Sequence, residues 1–149
     1  MRALALLALT ACTPLSFDGD PVLEIGTGEF AFEPVDDEQV VPIVRGPQGG
    51  DHVWVGLRVS DVDPRGFRAE TIAHYTARDE AAGEPLFFEF NLLPTDDGRH
   101  FYAGLPHVVE PADVHGKKIR FVLEVTDRGG RAARDTMVVE PRKPEWDEE

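Results

Sequence analysis

The chain has one cysteine, two serines and three lysines in 149 residues, and each shortage closes a route. One thiol cannot form an internal disulfide or a multi-thiolate zinc site. Neither Ser16 nor Ser60 stands in a Gly-x-Ser-x-Gly turn, so serine nucleophile chemistry has no seat. Bases are scarce: 15 Lys and Arg face 28 Asp and Glu, for a formal net charge of −13. That sign repels a phosphate backbone and excludes nucleic acid as a partner. Met137 is the only methionine after Met1, which excludes a methionine-rich copper site. No apolar run approaches the ~20 residues needed to span a bilayer. No window sustains a helical period; the best competitor, 71–84, ends at Gly83-Glu-Pro85.

What is present is ordinary globular material. At 42% hydrophobic and 29% charged, the chain can fill the core of one domain. Its start is different. Met1-Arg2 is followed by Ala3-Leu-Ala-Leu-Leu-Ala-Leu-Thr-Ala11, a positive charge and an apolar run, which is the plan of a secretory signal. The segment Leu9-Thr10-Ala11-Cys12 resembles the lipobox of bacterial lipoproteins. The resemblance implies cleavage before Cys12, diacylation of its thiol and acylation of the new amino group. Two or three acyl chains give stable anchoring where one is marginal, so the membrane becomes a partner through lipid. Thr13, by analogy with lipoproteins that lack Asp at this position, points to the outer membrane. Residues 1–11 are then signal peptide, 12–21 the lipidated cysteine and a tether, 22–140 the folded domain, and 141–149 a charged tail.

The body alternates with period two. Val53, Val55, Leu57 and Val59 form one apolar row, Leu86, Phe88, Phe90 and Leu92 a second, and Ile119, Phe121, Leu123 and Val125 a third. Further strands are expected at 22–26, 29–33, 39–45, 68–77, 99–103 and 132–140. Pro42 demotes its run to an edge or a bulge. Turn signals at 46–50, 63–66, 96–98 and 127–130 separate the runs. Seven to nine short strands with frequent turns predict an all-β fold, a single antiparallel sandwich. The stretch from Gly116 to Val139, with Val125-Thr-Asp127-Arg-Gly-Gly130 at its turn, resembles the last two strands of bacterial immunoglobulin-like modules. The inter-sheet cysteine pair and corner tyrosine of antibody domains are absent. Taken whole, the chain also resembles single-domain lipoproteins of high-GC didermal bacteria such as myxobacteria.

The candidate sites are few. Gly26-Thr-Gly28 lacks the third glycine and the following helix of a dinucleotide site, so it reads as a kink and no cofactor is expected. His52, His74, His100, His107 and His115 could supply copper or zinc ligands, although no pair has the spacing that forces adjacency. Asp61, Asp63, Asp96, Asp97 and Asp127 fall at strand ends and could gather around calcium, or serve as ordinary turn residues. Gly46-Pro-Gln48-Gly-Gly-Asp-His52-Val-Trp54 leads into a strand whose outer face carries His52 and Trp54. It reads either as a long turn with a rim tryptophan or as a partner-binding surface of Gln48, His52 and Trp54. Together these features point to a lipid-anchored, non-enzymatic binding or structural module of the cell envelope with a protein partner, and an extracytoplasmic metal-binding role is the alternative.

Overall fold

The apolar rows become strands because a pleated backbone sends alternate side chains to opposite faces. The computed structural model describes residues 17–47 and 49–144. The expectations for the signal peptide, for Cys12 and for Gln48 therefore lie outside the described residues. In chain order the elements are β1 (Val22–Gly26), β2 (Gln39–Pro42), β3 (Val44–Arg45), β4 (Asp51–Ser60), β5 (Phe67–Tyr75) and β6 (Glu80–Ala81). They continue with β7 (Leu86–Phe90), β8 (Leu93–Pro94), β9 (His100–Val108), the one-turn helix α1 (Pro111–Val114), β10 (Ile119–Thr126) and β11 (Ala132–Arg142).

Two sheets result. The first runs β1-β4-β9-β8, with β3 continuing along β4 beyond β1; the second runs β2-β11-β10-β5-β6, with β7 also on β5. This is the strand order of an immunoglobulin-like sandwich: four positions on one side, and the pair of the final strands with its neighbours on the other. Val53, Val55, Leu57 and Val59 from β4 meet Ile119, Phe121, Leu123 and Val125 from β10 in the core, all of them buried. Burying a side chain such as Phe121 or Leu123 contributes about 1.5–3 kcal/mol each. The sheets are also tied by a polar contact. Asp135 of β11, in register with Leu123, accepts the Ile25 N–H of β1 at 2.9 Å.

The structure corrects several expectations. Eleven strands occur among the described residues rather than seven to nine, because edge strands are broken while the strands they flank stay whole. β1 and β3 share one edge of β4, and β6 and β7 share one edge of β5. The second sheet is not purely antiparallel, since β2 pairs parallel to β11. The run 39–45 splits at Ile43, where the chain leaves the second sheet for the first. Pro42, which has no N–H to donate, closes β2 at the sheet's edge. Residues 29–33 are not a strand; Thr27 and Glu33 make an isolated bridge around a loop. The strand expected over 132–140 runs on through Arg142, beside β2. No described helix is long and apolar enough to cross a membrane.

Candidate functional site

Glycines inside strands often mark a place where another backbone comes close. Gly26 of β1 and Gly56 of β4 are register partners, and Gly104 lies on β9 beside the bulge between Val55 and Leu57. The loop 27–33 crosses the outer face of the first sheet on these glycines. Its mouth is closed by Thr27 N–H to Glu33 and Glu33 N–H to Thr27, both at 2.9 Å. The Thr27 hydroxyl donates to the Trp54 carbonyl at 2.8 Å, and the Gly104 N–H donates to the Gly28 carbonyl at 2.8 Å. A Cβ on Gly56 would lie 2.7 Å from the Thr27 carbonyl oxygen, and one on Gly104 would lie 2.5 Å from that of Glu29. The loop is a strap, fitted onto the sheet by backbone contact.

Two phenylalanines on the strap have opposite fates. Phe32 is half-buried against Gly26 and Gly56, with the Arg58 guanidinium 4.7 Å from its ring centroid. Arg58 is held in turn by Glu24, whose Oε2 accepts from Nε at 2.9 Å and Nη2 at 2.6 Å. Phe30 has no such cover and is 85% exposed. Val22, Leu93 and Val108, also exposed, belong to the same outer face. Phe101 faces outward beside Arg58 by register. The other outer face exposes Phe87 among charged side chains. It carries the ion pairs Arg68–Glu89, Arg134–Glu124 and Lys118–Glu38, which suit water. The first sheet's outer face also holds the Arg58–Glu24 pair, and what sets it apart is Phe30, more exposed at 85% than Phe87 on the second sheet at 72%.

Of the expected trio, Gln48 lies outside the described residues, and His52 and Trp54 are neighbours on the outer row of β4. The turn after β3 folds back, with Gly46 N–H donating to the Gly50 carbonyl at 2.7 Å, and His52 is only 6% exposed. Its ring meets Trp54 edge-on at 4.1 Å. Trp54 is half-buried and abuts the strap through its own carbonyl. It therefore supports the face more than it projects from it.

The candidate ligand side chains are dispersed or engaged. Among the described residues, no three His, Cys, Asp or Glu side chains group so as to hold a metal ion. Asp127 is buried and its carboxylate accepts the N–H of Asp63 at 3.1 Å and of Arg131 at 2.9 Å, tying two turns together. Hydrogen bonding to the Arg65 side chain lowers the Asp63 carboxyl to about 2. Arg99, with help from Thr95, likewise holds Asp97 well below the usual carboxylate range. His115 Nδ1 accepts the Lys143 N–H at 3.0 Å. His107 points into the core, where Thr71 Oγ1 lies 3.3 Å from Nδ1 and the Phe121 ring stands edge-on at 5.0 Å. Burial pushes the His107 pKa down to about 4.

Sequence reasoning missed Phe30 because Phe30, Ala31 and Phe32 imitate strand alternation. The available signal was the set of strand-interior glycines at 26, 56 and 104. No protein-family model matches the chain, and no curated protein matches it either.

Proposed function

We propose that the protein is a lipid-anchored, non-enzymatic module of the bacterial cell envelope that docks a partner protein on the outer face of its first sheet. The observation that carries this reading is Phe30, fully offered to solvent on a strap whose backbone is already fixed. An aromatic side chain held in place loses little entropy on docking, which is how interface hot spots gain their strength. Covering its ring contributes about 1.5–3 kcal/mol. The anchor supports the same picture. The Gly19 carbonyl accepts a hydrogen bond from Arg131, so the chain enters the sandwich at the end formed by the turns around 63 and 128. The five residue steps from Cys12 to Phe17 reach at most ~18 Å, which keeps an acidic body near, but off, the lipid surface.

Two experiments test the parts separately. Cys12→Ala will abolish palmitate labelling and move the protein from the membrane fraction to the soluble fraction; continued membrane retention sinks the anchor. A photo-crosslinking residue at position 30 will capture a discrete adduct in intact cells, whereas one at Thr136, on the second sheet, will not. Equal adducts from both positions would refute the assigned face. Phe30→Ala will remove that partner while changing stability by no more than about 0.5 kcal/mol, as exposed substitutions do.

A further inference from the structure

The three lysines, Lys117, Lys118 and Lys143, collect at the end of the sandwich opposite the tether. There a cleft of about 370 Å³ is lined by Tyr75, Thr76, Ala77, Arg78, Lys117 and Lys118. Two cations approach its aromatic wall. The Arg78 guanidinium lies 4.3 Å from the Tyr75 ring centroid, and Lys117 Nζ lies 5.6 Å from it. The charges at the rim are lightly held. Arg78 reaches Glu80 at 2.9 Å and Lys118 reaches Glu38 at 2.5 Å, yet both pairs are at least half exposed in the arginine and lysine side chains. Lys117 Nζ donates to a backbone carbonyl, that of Asp113, at 2.6 Å. Exposed pairs of this kind contribute 0–1 kcal/mol, so another carboxylate can replace the partner at little cost.

One segment of this chain has the matching chemistry. Glu145-Trp146-Asp147-Glu148-Glu149 is a tryptophan set among four acids, and it follows directly on the last described residues. The point of departure is close to the cleft. Lys143 N–H is bonded to His115 Nδ1, and Gly116 N–H to the Pro141 carbonyl, immediately before Lys117 in sequence. Trp146 is three residues beyond Lys143, a reach of ~10 Å before its side chain is counted. Elsewhere a net charge of −13 repels this segment; here three cations, Arg78, Lys117 and Lys118, surround an aromatic wall.

We propose that residues 145–149 dock on their own domain, with the Trp146 indole in the Tyr75–Arg78–Lys117 cleft and the flanking carboxylates on its basic rim. The indole stacks on a guanidinium and an alkyl ammonium stem, and the acids exchange with Glu80 and Glu38 as ion-pair partners. Tethering makes weak contacts sufficient. At an effective concentration of about 1 mM, a contact with a Kd of about 0.1 mM is some 90% closed.

The test uses the full-length protein in detergent, with Trp54→Phe leaving Trp146 as the only tryptophan. Its emission will be blue-shifted, and quenching by acrylamide will be at least about threefold weaker than in the free pentapeptide of residues 145–149. Arg78→Glu combined with Lys117→Glu will restore peptide-like emission and quenching, while Arg134→Glu on the far part of the sheet will not. If Trp54→Phe disturbs folding, the difference spectrum between the wild type and Trp146→Phe reports the same quantity. Peptide-like quenching in the starting protein overturns the proposal, and so does shielding that survives both charge reversals. Shielding that vanishes on dilution would assign the cleft to the tail of a second copy and overturn the intramolecular contact.

Discussion

Gly104→Ala will destabilise the fold by about 2–3 kcal/mol and expose the strap to protease. Gly104 has φ +74°, a left-handed conformation that costs a residue with a Cβ about 1–2 kcal/mol. The added methyl would sit 2.5 Å from the Glu29 carbonyl oxygen, which belongs to backbone and cannot rotate away. Something must move, and the Gly104 N–H to Gly28 hydrogen bond goes with it, at about 1 kcal/mol. The protein carries its own control. Gly98 has φ +82° but open space where its Cβ would be, so Gly98→Ala isolates the backbone term of about 1–2 kcal/mol. Urea unfolding measures both losses. Chymotrypsin adds a local readout, since Phe30 and Phe32 become cleavable in a lifted strap. Equal losses in the two variants, with equal cleavage, would mean that the strap is not seated on Gly104. A lifted strap also disperses Phe30 over many positions, so the same variant should weaken partner capture without touching the aromatic residue.

Much of the sandwich was legible because burial and period two are the same fact seen from two sides. The spans Val22–Gly26 and Ile119–Thr126 follow from their alternation alone. Where the reading failed, alternation came without a neighbouring strand, or a neighbour intervened that lies far away in sequence. Residues 29–33 alternate as a strand does, yet they lie over a sheet rather than in one, so their backbone closes on itself through Thr27 and Glu33. His52 stands on the outer row of β4, but the turn 46–50 covers it. Asp127 reads as a turn residue, and it is one; only the fold reveals that its carboxylate caps the Asp63 turn, 64 residues earlier in the chain. The exposure of Phe30 was invisible for the same reason. A sequence reports what a residue is, while the glycines that decide its surroundings, Gly26, Gly56 and Gly104, sit on three strands.

The stability that neutral His107 contributes will be lost as pH drops from 6.5 towards 4, and His107→Leu will remove that contribution to the slope. His107 has no exposed surface, and burial alone lowers its pKa from 6.5 to about 4. The sign follows from proton binding. Between these values the unfolded chain takes up a proton that the folded chain refuses, so acid favours unfolding. The term is absent above about pH 6.5 and complete near pH 4. Its size is about 3 kcal/mol, from roughly 1.4 kcal/mol for each pH unit of displacement. Wild-type stability alone would not isolate it. In an acidic chain, lowering the pH also neutralises carboxylates and relieves their repulsion, which works the other way. The difference between wild type and His107→Leu cancels that shared background. Leucine fills a similar place beside Phe121 but leaves the Thr71 hydroxyl without its ring nitrogen, so the variant starts lower at pH 7. His107→Leu with Thr71→Val removes both polar groups and separates this offset from the slope. Urea midpoints measured at half-unit steps should draw the wild-type and variant curves together as the pH falls. Parallel curves would show that His107 does not remain neutral in the core, and that the fold admits water or a counter-charge at its centre.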